Sequence, residues 1–168
     1  LFFNQFGAGI HAYGGATGPI ESMHFIGNTT FQNSYAPGGV AGGDPGYFLR
    51  SDIVIGGKQP VSDILFAENY SYASNFDNEV TFGAYGNSNQ DITLTDNYFY
   101  SGRCEFSNPW ASITASGNVC SNLTGGNEPG TGFTEITSAA QTGTKIDVRP
   151  NAHETGRGHV VVYNWDNL

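Results

Sequence analysis

Ile92-Thr93-Leu94-Thr95-Asp96-Asn97 sets two apolar side chains two positions apart and closes on an asparagine. A period of two marks a strand with one buried face. An Asn at its end suits a tight corner, where it tolerates left-handed geometry and bonds to nearby backbone. The same phrase, apolar-x-apolar-x-x-Asn, returns three more times. It reads Met23-His24-Phe25-Ile26-Gly27-Asn28, Ile64-Leu65-Phe66-Ala67-Glu68-Asn69 and Ile113-Thr114-Ala115-Ser116-Gly117-Asn118.

A second strand-like stretch precedes each phrase: Ile10–Gly14, Ile53–Gly57, Thr81–Gly86 and Cys104–Asn108. Two short strands, a turn between them and a variable return describe one rung of a solenoid. The corner Asn residues are 41, 28 and 21 residues apart, the shortest step being near the minimum for a coil and the longer ones carrying loops. One rung buries too few side chains to stand alone, so stability has to come from stacking like on like. The fold expected is all-β: a right-handed parallel β-helix of about four rungs, its first rung beginning near Asn4. Met23, Ile64, Ile92 and Ile113 would form one internal column, and Phe25, Phe66, Leu94 and Ala115 the next. Asn28, Asn69, Asn97 and Asn118 would stack as an amide ladder. A β-sandwich also yields short strands with turn signals, but it does not explain an Asn that recurs at one phase.

Composition agrees with this reading and excludes several others. The 168 residues suit one domain, and 24 glycines with seven prolines interrupt the chain too often for long helices. Six Lys+Arg against 15 Asp+Glu leave a net charge of −9, which is no footprint for nucleic acid or an anionic membrane. No apolar run approaches a spanning helix, so membrane insertion is not expected. The chain opens at Leu1-Phe2-Phe3 and closes at Asn167-Leu168, ends that read as those of a mature fragment or of a domain from a longer chain.

The rungs resemble the right-handed parallel β-helix repeat proteins of the pectate-lyase-like superfamily. Gly9-Ile10-His11-Ala12-Tyr13-Gly14, with Gly117-Asn118 later, is similar to bacterial secreted members of that group whose function is unassigned. The resemblance covers roughly residues 4–124 and implies a secreted, extracellular or cell-surface protein. It implies no reaction, because the superfamily holds lyases, hydrolases, epimerases and adhesins alike. Residues 1–124 are therefore read as the rungs and 125–133 as a Gly-rich linker. Residues 134–168 read as a β-hairpin or the start of a C-terminal β cap or sandwich, on the alternation in Lys145–Arg149 and the apolar run His159–Trp165.

The acids and Arg of β-helix pectate lyases have no counterpart on a predicted strand face. The Asn-x-Asp, paired-Asp, Gly-His-Gly and Arg-x-Lys signatures of polygalacturonases are not intact, and Gly158-His159-Val160 is a weak match. No catalytic residue is assigned. Glu68 and Asp96 hold equivalent corners on adjacent rungs, where two carboxylates could share calcium or split their pKa values, but a solvated corner is the simpler reading. No cofactor is expected. His11 and His24 should point outward, and His153 with His159 does not have a usual zinc spacing. Cys104 and Cys120 are an even pair in a chain read as secreted, which favours a disulfide over two buried thiols. Of the sequons at Asn28, Asn69 and Asn122, the first two need their amides inside, leaving Asn122 as the glycosylation candidate.

What remains is a surface. Aromatic residues crowd after the corners, and positions one and three beyond each Asn share a face. Tyr70, Tyr72, Tyr98 and Tyr100, with Trp110 in the last rung, are the expected carbohydrate-binding set, with the Gly- and Pro-rich insertion Asn33–Gly46 as a rim. The chain is expected to be non-catalytic, binding polysaccharide or contributing to a surface structure. One alternative is a polysaccharide lyase or hydrolase whose active rungs lie outside these residues, and another is a self-assembling structural solenoid. The first rung has no recognisable cap, so a missing N-terminal segment, a second polypeptide or another copy is expected to cover it.

Overall fold

The computed structural model describes residues 1–3, 8–31, 33, 51–72, 78–85, 88–100, 102–136, 142–151 and 153–166. Asn4, Gly86 and residues 34–46 of the insertion, all named above, lie outside the described residues. The described residues hold strands, turns and bends. They fall into two compact units, Leu1–Ile136 and Thr137–Leu168.

In the first unit the chain visits three parallel sheets in a fixed cycle. One sheet is built from β2 (Ile10–Gly14), β5 (Ile53–Gly57), β8 (Asn78–Ala84), β11 (Arg103–Phe106) and β14 (Leu123–Thr124). The next holds β3 (Ile20–Ile26), β6 (Val61–Ala67), β9 (Asn89–Thr95) and β12 (Trp110–Ser116). The third holds β1 (Phe2–Phe3), β4 (Thr29–Phe31), β7 (Tyr70–Tyr72), β10 (Tyr98–Tyr100), β13 (Asn118–Cys120) and β15 (Phe133–Glu135). Neighbours in each sheet are successive passes of the chain, an all-β, parallel arrangement compatible with a solenoid. Each pass contains three strands rather than the two read from sequence. The third is the three-residue segment after each corner, too short for a period of two to be visible.

Register places the repeated phrases on one another. Ile64 pairs with Met23 and Ile92, and Ile113 with Ile92; Phe66 pairs with Phe25 and Leu94, and Ala115 with Leu94. The middle of each column is core, with Ile64, Phe66, Ile92 and Leu94 buried. The ends are not: Met23 is 40% exposed, and Phe25, Ile113 and Ala115 are only partly buried. The expectation of continuously internal columns fails there because β3 and β12 are edge strands, with a neighbour on one side only. Between the sheets, Phe66 packs against Phe82 and Phe99 at ring separations of 5.5 and 6.0 Å, and Phe82 against Phe106 at 5.1 Å. Such large apolar side chains are what make stacking favourable, each worth about 1.5–3 kcal/mol of burial.

The parallel unit also runs further than residue 124. Phe133–Glu135 pairs in parallel with Asn118–Cys120, and the Phe133 ring meets Phe106 at 6.0 Å. The boundary read between a linker ending at 133 and a C-terminal region starting at 134 therefore falls inside β15. In the second unit, β16 (Thr144–Pro150) and β17 (Gly158–Asn164) form an antiparallel hairpin, with Ile146 opposite Val162 and Val148 opposite Val160.

Candidate functional site

The site begins at the corner. In the four phrases the residue before the Asn has positive φ: Gly27 (68°), Glu68 (55°), Asp96 (52°) and Gly117 (65°). Left-handed geometry thus sits one position earlier than expected, and the Asn is freed to act through its side chain. Asn69 and Asn97 are buried, and each Oδ1 accepts both the backbone N–H and the Nδ2 of the Asn one pass earlier. Each Nδ2 also donates to a carbonyl of the preceding pass, from Asn69 to Phe25 at 2.8 Å and from Asn97 to Phe66 at 2.7 Å. This satisfies groups that would be costly to bury alone, and it fixes where the next three residues start.

Those three residues alternate in direction. Ser71 and Phe99, two beyond the corner, are buried, whereas Tyr70, Tyr72, Tyr98 and Tyr100 flank them on the opposite face. Parallel pairing puts Tyr98 beside Tyr70 and Tyr100 beside Tyr72, so the four rings make a two-by-two array. Ring separations are 6.0 Å for Tyr70–Tyr98, 6.0 Å for Tyr72–Tyr100 and 6.3 Å for Tyr98–Tyr100. The last two pairs lie within 13° and 7° of parallel. Pairing extends the first column to Thr29 and Val119 and the second to Phe31. Tyrosine carries an apolar ring and a polar hydroxyl on one side chain.

The array is narrower than the set proposed from sequence. Tyr100 is only 5% exposed, and burial first, then the neighbouring Tyr72, pushes its hydroxyl pKa up. The accessible rings are the half-exposed Tyr70, Tyr72 and Tyr98. Trp110 does not belong to it. It opens β12 in a different sheet, packs against the core, and its indole nitrogen is buried. A residue in the turn before a strand could have faced either way, and nothing in its spacing decided which.

Glu68 and Asp96 stand at corners of adjacent passes and are both exposed. Among the described residues no group of three His, Cys, Asp or Glu is placed to hold a metal ion. Cys104 and Cys120, both buried, are joined by a disulfide that ties β11 to β13. Asn122 is exposed, and its carbonyl accepts from the Cys104 N–H at 2.8 Å. His11 and His24 are exposed on different sheets, and in the second unit His153, in a turn, and His159, on β17, are also exposed.

Two clusters had no sequence signal. His11, Tyr13 and Tyr85 meet through ring separations of 5.7, 6.1 and 5.0 Å, and partial desolvation of the otherwise exposed His11 lowers its pKa. Asp52 is fully buried, its carboxylate accepting from the Asn33 N–H at 2.8 Å and the Ser71 hydroxyl at 2.9 Å. Burial raises its pKa, against these hydrogen bonds, which lower it. Each cluster includes residues 19 or more positions apart, which only the pairing of successive passes brings together. No protein-family model, curated protein or solved structure matches the chain.

Proposed function

We propose that residues 1–136 form a right-handed parallel β-helix of the kind carried by pectate-lyase-like proteins. In this reading the chain is a secreted or cell-surface, non-catalytic protein whose tyrosine face binds polysaccharide. The fold part is supported by the three-sheet cycle, by the Asn ladder, and by the strong preference of parallel crossovers for the right hand. The single observation that carries the binding part is the row of partly exposed tyrosines, Tyr70, Tyr72 and Tyr98, that β7 and β10 set side by side on one face, with Tyr70 and Tyr98 6.0 Å apart. Sugar rings present apolar C–H faces to such rings, and their hydroxyls reach the phenolic rim. The net charge of −9 favours neutral polysaccharides over polyuronates, which it repels.

Affinity electrophoresis and calorimetry against a panel of neutral and acidic polysaccharides test the proposal. A neutral polymer should bind, and Tyr70→Ala with Tyr98→Ala should weaken it at least ~30-fold, the scale of lost aromatic hot spots. Tyr98→Phe keeps the ring and should retain most of the affinity, separating ring contact from general damage. Absence of binding across the panel, or equal binding by the Ala variants, would overturn the reading.

A further inference from the structure

The corner ladder has a direction. The backbone N–H and Nδ2 of Asn28 donate to Asn69 Oδ1 at 3.0 and 3.0 Å, and those of Asn69 to Asn97 Oδ1 at 2.9 and 3.0 Å. Asn97 repeats the step onto Asn118 Oδ1 at 3.1 and 2.8 Å. The final step is closed within the chain, because the Gly132 carbonyl accepts the Asn118 N–H at 3.0 Å and its Nδ2 at 3.2 Å. The first step is open. Asn28 is half-buried, yet its Oδ1 accepts no hydrogen bond among the described residues, although every later Oδ1 in the ladder accepts two.

Ile10 and Ala12 of β2 are buried at this edge, but the middle of β3 leaves apolar surface uncovered. Met23 is 40% exposed, where its register partner Ile64 is 2% exposed, and Phe25 is half-buried beside a fully buried Phe66. Pairing also says what would enter there. Phe2 lies level with Thr30 and Phe3 with Phe31, so Leu1 is level with Thr29, the residue after the corner Asn28. Thr29 is level with Tyr70, the residue after Asn69. The position ahead of Leu1 is therefore a corner position of this repeat.

We propose that the edge formed by β1, β2 and β3 takes one further turn of the same repeat, in parallel register and entering β1 directly ahead of Leu1. Its corner is an Asn whose N–H and side-chain amide donate to Asn28 Oδ1. A second copy of this chain does not fit the edge. A parallel turn of matching direction would have to come from its other end, where the Asn118 donors are already held by Gly132. A charge of −9 on each copy opposes that contact further. The inference rests on the stacked-turn fold and not on polysaccharide binding, so either can fail without the other.

A fusion tests it directly. Residues 53–69 are copied and joined ahead of Leu1, so that a copied Asn69 immediately precedes it. The copied strands then fall in register on β2 and β3. The fused turn should raise Tm by roughly 4 °C or more and slow amide exchange along β3. Asn69→Ala in the copy should remove at least about half of that gain, since the donors to Asn28 are lost. Inserting one residue between the copy and Leu1 should abolish it, because a one-residue slip turns every side chain to the other face. A gain equal in the in-register and slipped fusions would overturn the proposal, and so would no gain in either. Sedimentation equilibrium of the unfused chain should give a monomer. A dimer that the fused turn disrupts would assign the edge to a second copy and overturn the proposal.

Discussion

Glu68 and Asp96 hold φ values of 55° and 52° at corners where Gly27 and Gly117 stand in the outer passes. For a residue with a Cβ that conformation costs about 1–2 kcal/mol, whereas glycine adopts it freely but loses more entropy on folding. Glu68→Gly should therefore stabilise the first unit by about 0.5–1 kcal/mol, read as a higher midpoint in urea. A lower midpoint would mean that the Glu68 side chain contributes more than its backbone strain costs. The Asn of each phrase was legible from sequence because its side chain has one job at one phase. The left-handed residue before it was not, since Gly, Glu, Asp and Gly share no chemistry, only a backbone angle that the turn imposes.

At the scale of the strand, one column carries two different consequences of the same truncation. Leu94 is fully buried between Phe66 and Ala115, and Leu94→Ala should cost about 2–5 kcal/mol. Met23 sits in the neighbouring column at the edge, 40% exposed, and Met23→Ala should cost less than about 1 kcal/mol. Equilibrium urea unfolding with an unchanged m value measures both, and similar costs at the two sites would contradict the edge position of β3. The apolar alternation of β6, β9 and β12 could be read along the chain. Their burial could not, because it depends on whether a strand has one neighbour or two. The short strands β7 and β10 were hidden for a different reason: three residues span too little of a period, and their tyrosines read as a cluster rather than as a sheet.

Across the whole first unit, the Asp52 cluster joins the segment before β5 to Ser71 of β7, linking two sheets through one buried carboxyl. Its folded pKa is raised above the ordinary 3.8, so the folded state holds the proton more tightly than the unfolded chain. The resulting stability is complete below the ordinary value and is lost as pH rises through the raised one. Asp52→Asn removes that titration. Its Tm relative to wild type should climb from pH 4 towards pH 7, and a flat or falling difference would show that burial does not govern this group. No sequence pattern announced Asp52, because its partners Asn33 and Ser71 are each 19 residues away and meet only when passes stack. The sequence by itself determined a parallel, repeating all-β chain, the phase of its strands and the corner Asn residues, and it favoured the cysteine pairing that the structure shows. Each of these rests on local alternation or on residue identity at a recurring position. The tertiary structure alone decided the third strand of each pass, the burial of Tyr100, the packing of Trp110 against the core, the run of the parallel unit through Glu135 and the open acceptor on Asn28. Those depend on which surfaces the neighbouring passes cover, a property of stacking and not of any one segment.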